Sequence, residues 1–327
     1  MRRAALLVLL LGLAACSPGE RASVASTAKW RPLAASTLAR TEVAAARVGR
    51  FVYVMGGFER GTSATVAVTE RYDLRRDRWR RVADMPVALN HAAAVAYRGS
   101  VYVVGGYRGR STLDDEVATL YRYQPRRDRW TRLPPMPTRR GALAAAVVGH
   151  RLYAVGGAAT GRGALATLEI YDFRTRRWSA GPDLPLAREH LAAAAAGGHV
   201  YALAGRAAGQ GNFARVDRYD PGRRRWSRAR DMGKPRGGIA AATVGNKIAV
   251  FGGEEGAGTI GEVELYDPAR NRWRALPGMR TPRHGLGGVS AGRRIYAIEG
   301  GDEPGFHFTR ALEYLDLDHS GRRSSTR

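Results

Sequence analysis

The sequence predicts an all-β protein made of six copies of one four-stranded antiparallel unit. Three observations carry this. Every tryptophan belongs to one series, Trp30, Trp79, Trp130, Trp178, Trp226 and Trp273, at spacings of 49, 51, 48, 48 and 47 residues. A glycine pair, or a close variant of it, closes a short β-like run six times, from "VYVMGG" at 52–57 to "IYAIEGG" at 295–301. A Tyr-Asp step or a near copy then follows, at Tyr72-Asp73, Tyr123-Gln124, Tyr171-Asp172, Tyr219-Asp220, Tyr266-Asp267 and Leu315-Asp316. Three markers in fixed order at a period near 50 define a structural repeat.

Each run of the unit has its own reason to be a strand. The first run is unusually small, as in Ala144-Ala145-Ala146, Ala192 to Ala196 and Gly287-Gly288. Alanine alone would favour helix, but these stretches span only five or six residues at one phase of the repeat. The second run alternates, as in Val52-Tyr53-Val54-Met55, with β-branched and aromatic residues. Its glycine pair permits a crowded bend closed to other residues. The third run ends at Tyr-Asp. A turn such as "DLRRDRW" or "DPARNRW" then starts the fourth run at the tryptophan.

Gly-Gly, Tyr-Asp and Trp in this order resemble the kelch repeat, whose unit is one blade of a β-propeller. The resemblance covers about residues 29–318 and implies a six-bladed kelch-type β-propeller. In such a ring the first strand lies nearest the axis, where small side chains fit, and the outer strand has room for Trp. The last unit reaches Asp316 with no Trp after it, and Trp30 has no unit before it. The strand around Trp30 is therefore expected to complete the sixth blade and remove an open edge.

Composition agrees with a folded domain: 44% of residues are hydrophobic and 25% charged, which excludes wholesale disorder. A single cysteine, Cys16, excludes a disulfide framework, a multi-cysteine zinc site and an iron–sulfur cluster. The chain opens on Met1-Arg2-Arg3 and an apolar run from Ala4 to Leu13, too short to span a bilayer comfortably. Leu13-Ala14-Ala15-Cys16 resembles a bacterial lipoprotein lipobox. That resemblance implies a signal peptide at 1–15, acylation of Cys16, and export to the periplasmic or cell-surface side of a membrane. Removal of Arg2 and Arg3 would take the net charge from +24 to +22. Residues 16–28 read as a flexible Ser/Ala/Pro/Gly tether, 29–318 as the propeller and 319–327 as a tail.

One cation recurs just before the first strand: Arg40, Arg140, Arg188, Arg236 and Arg283, with Leu89-Asn90 breaking the pattern in the second unit and Asn90 taken as the sixth ligand-facing residue. In a propeller these six positions are expected to ring one channel mouth, where guanidinium forks suit a carboxylate or phosphate ligand. The alternative is that each arginine bonds carbonyls of the loop between blades. Glu42, His91, Glu189, His190 and His284 lie close by and could serve acid–base chemistry or be solvated loop residues. His150, His199, His307 and His319 have no ligand spacing, so neither a metal site nor a cofactor is expected. Glu70, Glu169, Asp217, Glu264 and Glu313 recur two positions before the Tyr-Asp phase; a scaffold role is expected, pairing with arginine on the adjacent blade. Arginine-rich turns before each Trp, such as Arg75, Arg76 and Arg78, fall on the opposite face. They suit anionic lipid headgroups or an acidic envelope polymer, or reflect compositional bias alone.

Two functions fit these features. The one adopted is a monomeric, membrane-anchored scaffold binding an envelope protein or anionic glycan, with no nucleic-acid partner. The alternative is an isomerase acting on acidic sugars. Exported six-bladed kelch proteins include sialic acid mutarotases, which the chain resembles in export and blade number. Chemistry of the galactose oxidase type needs copper and a Cys–Tyr crosslink, and Cys16 in the lipobox excludes it.

Overall fold

The computed structural model describes residues 28–317. The leader at 1–15, Cys16, the tether up to residue 27 and the tail at 319–327 lie outside the described residues. Among those described there is no helix, and six antiparallel sheets dominate. Blade 1 comprises Ala44–Val48, Phe51–Met55, Thr69–Asp73 and Arg78–Val82. Blade 2 comprises Ala93–Tyr97, Ser100–Val104, Leu120–Gln124 and Arg129–Leu133. Blade 3 has Ala144–Val148, Arg151–Val155, Leu168–Asp172 and Arg177–Ala180. Blade 4 has Ala192–Ala196, His199–Leu203, Val216–Asp220 and Arg225–Arg228. Blade 5 is built from Gly237–Val244, Lys247–Glu255, Val263–Asp267 and Arg272–Leu276. Blade 6 takes Gly287–Ala291, Arg294–Ile298 and Leu312–Asp316 from the end of the chain.

The fourth strand of blade 6 is the amino-terminal Arg31–Pro32, with Arg31 opposite Tyr314 and Pro32 opposite Glu313. The closure expected around Trp30–Leu33 is thus present, with Arg31–Pro32 as the paired residues.

Six apolar clusters hold the sheets, and each bridges two neighbours. Tyr53 and Met55 of blade 1 pack with Val101 and Tyr123 of blade 2; Val104 and Leu120 pack with Leu152 and Tyr171 of blade 3. The sequence continues round through blades 3 and 4, 4 and 5, and 5 and 6. It ends where Val52 and Tyr72 of blade 1 meet Tyr296 and Ile298 of blade 6. The core therefore lies between blades, in a closed circle.

Small residues on the first strands are a steric requirement. A Cβ added at Gly288 would sit 2.6 Å from the Cβ of Ala240, and one at Gly287 would sit 2.6 Å from that of Ala45. At the rim, every indole N–H donates to a carbonyl beside the preceding blade. Trp79 reaches Ala34, Trp130 reaches Ala83, Trp178 reaches Pro134, Trp226 reaches Pro182 and Trp273 reaches Arg230, at 2.7–2.8 Å. Trp30 reaches Pro277 at 2.9 Å and completes the circuit. The recurring tryptophan thus fills space and latches neighbours together.

A ring of charged side chains at the channel mouth

The segments that lead from one blade into the next converge on the axis. Six residues there have left-handed backbones: Glu42, His91, Ala142, His190, Gly238 and Gly285, with φ between 50° and 67°. Their amides form a near-continuous hoop. His91 N–H donates to Glu42 O, Ala142 to His91, His190 to Ala142, Gly238 to His190 and Gly285 to Gly238. The hoop closes one residue late, Val43 N–H donating to Gly285 O at 3.3 Å. Glycine would suit this conformation everywhere, yet four positions carry side chains in it. The hoop encloses a pocket of about 90 Å³. That is room for an ion or a few waters, and small beside the roughly 300 Å³ at which organic-ligand sites begin.

Above the hoop, charged side chains make their own circuit. His91 Nε2 lies 3.2 Å from Glu42 Oε2, and His284 Nδ1 lies 3.3 Å from Glu42 Oε1. His284 Nδ1 is also 3.6 Å from Glu254 Oε2. Arg206 bridges Glu254 at 2.7 Å and Glu189 at 2.9 Å. Glu189 accepts from His190 Nδ1, and the His190 ring meets the His91 ring edge-on at 4.8 Å. The sequence candidates Glu42, His91, Glu189, His190 and His284 therefore come together at this mouth.

Burial opposes the charge on Glu42, but His91, His284 and His190 hold its carboxyl far below the usual carboxylate range. Burial also drives His91 down, to about 4, against the pull of Glu42. His284 is raised instead: its burial penalty is outweighed by Glu42 and then Glu254. Glu189 is lowered despite burial, by His190 and Arg206.

Arg206 and Glu254 were not singled out from sequence. They follow the glycine-pair position directly, as do Phe58 and Tyr107, whose rings contact His91. That phase of the repeat marks mouth-facing residues.

The recurrent arginines are elsewhere. Arg40, Arg140, Arg188, Arg236 and Arg283 are all 0% exposed, so a ligand at the mouth does not reach them. Each is clamped inside the blade it leads into. Arg140 bonds Ala154 O and Thr167 O, and Arg236 bonds Gly252 O and Glu262 O. Their counter-charges are the acidic series: Arg40 with Glu70, Arg140 with Glu169, Arg188 with Asp217, Arg236 with Glu264 and Arg283 with Glu313, at 2.8–3.2 Å. The acids thus serve the scaffold, but their partner enters the same blade and does not sit on the adjacent one.

Asn90 also needs correcting. The carbonyl that accepts from the equivalent glycine amide (Gly106, Gly157, Gly205, Gly253 and Gly300) belongs to Arg140, Arg188, Arg236, Arg283 and Arg40 in five places, and the one that accepts from Gly57 belongs to Leu89. Leu89 therefore holds the arginine position. Asn90 lies one residue on and bonds Thr65, at 2.7 Å, and His91. Where blade 2 has Leu89, its acid position holds Tyr121, and the two share one apolar cluster.

Arg40 has a second acid, Glu299, 3.0 Å away, and all three side chains are fully buried. Burial raises Glu299 to about 7, against the pull of Arg40 and with the repulsion of Glu70. A raised carboxyl binds its proton more tightly in the folded state. Its contribution to stability is therefore present below the ordinary glutamate pKa and lost as pH rises through about 7. Glu299→Gln should narrow this loss: its melting temperature relative to wild type is expected to climb by a few degrees between pH 5 and pH 8. A difference that does not vary with pH would sink this assignment.

The arginine-rich turns, such as Arg75, Arg76 and Arg78, are exposed and lie at the other end of the strands from the mouth. Comparison with known proteins supports the repeat. The model of the KLHDC2/KLHL20/DRC7 Kelch-repeats domain matches residues 24–183 and 142–320. No curated protein matches the chain.

Proposed function

The chain belongs to the kelch-repeat family, whose domains generally act as protein-interaction scaffolds, and from that premise we propose that it is an exported, lipid-anchored binding propeller. Its loops around the charged mouth engage a protein or glycan of the cell envelope. One observation carries the choice of face. Among the described residues the exposed large apolar side chains are Leu113 and Phe306. Both lie on loops joining second and third strands, at the mouth end. Phe306 packs at a tilt against Phe58, ring centroids 4.8 Å apart, and Phe58 touches His91. Exposed apolar side chains set among polar loop residues on one face mark where a protein partner would dock.

The lipobox at Leu13–Cys16 supports the anchoring. The isomerase reading drew on the arginine ring together with the Glu and His residues; with those guanidiniums buried in ion pairs, only the Glu–His cluster and Arg206 remain at the mouth to support it. The test has two arms. Fatty-acid labelling of cells should mark the wild type and not Cys16→Ser, which should leave the membrane fraction. Crosslinking at the cell envelope should give an adduct that disappears in a Leu113→Asp/Phe306→Asp variant of unchanged melting temperature. Labelling that survives Cys16→Ser would refute the anchor, and an adduct that survives the double variant would refute the face.

A further inference from the structure

We propose that the channel mouth is a binding site for a divalent first-row transition ion, held by His91 Nε2, His190 Nε2 and a carboxylate oxygen of Glu42. Chain spacing gives no hint of such a site, since the three residues are far apart in sequence. The ring assembles them: donor atoms from Glu42, His91 and His190 lie within 4.8 Å of one another. All three line the same small pocket.

The hydrogen bonds behind the two imidazoles support the assignment. Asn90 Nδ2 donates to Thr65 Oγ1 at 2.7 Å, and Thr65 donates onward to Gly109 O at 2.6 Å. That fixes the Asn90 amide with its oxygen toward His91 Nδ1, 2.7 Å away. His91 thus engages an acceptor through Nδ1, which leaves Nε2 as its coordinating atom. The same holds for His190. Its Nδ1 faces Glu189, whose other oxygen is held by Arg206 at 2.9 Å. Both rings are therefore oriented by an acceptor on Nδ1, the arrangement seen behind metal-bound histidines.

His91 Nε2 and Glu42 Oε2 face each other at 3.2 Å. A divalent ion between them, completed by His190, would be held by all three donors. Two imidazoles and one carboxylate favour zinc, cobalt, iron or nickel over magnesium or calcium. A tetrahedral ion with bonds of about 2.0–2.1 Å holds its donors roughly 3.3 Å apart, so the side chains draw inward on binding. Water takes the fourth position, on the side open to solvent.

The backbone supports the same reading. Gly238 and Gly285 show that the hoop is made without side chains, yet Glu42, His91 and His190 accept left-handed backbones that aim them at one point.

The experiment uses the purified full-length protein, stripped with a chelator and titrated with Zn²⁺ by calorimetry and with Co²⁺ by visible absorption. The expected result is one ion per chain, with cobalt d–d bands of a low-coordinate N/O site. His91→Ala and Glu42→Ala should each abolish stoichiometric binding. Asn90→Leu, which leaves all three donors in place but frees the His91 ring, should weaken affinity about 10- to 100-fold. His150→Ala, at the far end of the strands, should bind as wild type does. Circular dichroism of each variant separates lost ligation from lost folding. No saturable binding by the wild type, or equal binding by a folded His91→Ala variant, would overturn the proposal.

Discussion

Arg140→Leu is expected to destabilise the protein by about 3–5 kcal/mol, the usual cost of orphaning one member of a buried ion pair. Glu169, only a few per cent exposed, would keep the Thr138 hydroxyl at 2.8 Å and lose its cation. The carbonyls of Ala154 and Thr167 would lose a donor as well. Burial lowers Arg140 to about 10 against the pull of Glu169, so the guanidinium stays charged at neutral pH. Blade 2 supplies the rescue. It replaces the same two positions with Leu89 and Tyr121, both buried and in one apolar cluster. Arg140→Leu combined with Glu169→Tyr copies that solution, because an apolar pair has no charge to orphan. The double variant should recover at least about 2 kcal/mol of the single variant's loss. Denaturant unfolding of the four corners of this cycle measures it. Additive losses would mean the arginine acts through its carbonyl bonds alone.

That pairing shows what the sequence held and what it hid. The blades were legible because their signals are local: a glycine pair, or a near copy of it, at a crowded left-handed bend, an alanine run at the axis, a tryptophan at the rim. At Gly56, for example, an added Cβ would come 2.2 Å from Leu89 O. Burial of the arginines was not local. The phase of Arg40 and its counterparts gave their place along the chain, but the same phase could face a channel or a blade interior. The counter-charge decides, and it lies about 30 residues downstream. One signal could have found it: the only unit lacking the arginine, at Leu89, also lacks the acid, at Tyr121. Two series that fail together in one repeat are partners. The mouth cluster was legible as a set of residues because Glu42, His91 and His190 share a phase. Its geometry was not, since the ring orientations depend on Asn90, Thr65, Glu189 and Arg206, and those contacts come from loops.

Deleting residues 29–35 is expected to produce the largest loss of all, because it opens the ring. Trp30 is buried, packs edge-on against Phe251 at 6.0 Å and donates to Pro277 O at 2.9 Å. Truncating a buried tryptophan costs about 3–5 kcal/mol, so Trp30→Ala alone should lower the melting temperature by roughly 6–20 °C in a protein of this size. The deletion removes more. Blade 6 loses its fourth strand and the pairing of Arg31 with Tyr314, and the bond from Leu33 N–H to Leu312 O goes too. Blade 1 loses the Ala34 carbonyl that accepts from Trp79, and the Ala34 amide that caps Asp77. Two of the six interfaces are damaged by one cut, leaving an exposed edge strand that invites association. Trp30→Phe separates the two roles of the side chain: it keeps most of the apolar area and forfeits only the hydrogen bond, for a loss of about 0.5–1.5 kcal/mol. Calorimetric melting of the three variants should rank them in that order, with the deletion also shifting to larger species in light scattering. A deletion variant that melts with the wild type would mean the blades hold together without a latch, and the closed circuit of tryptophans would lose its energetic meaning.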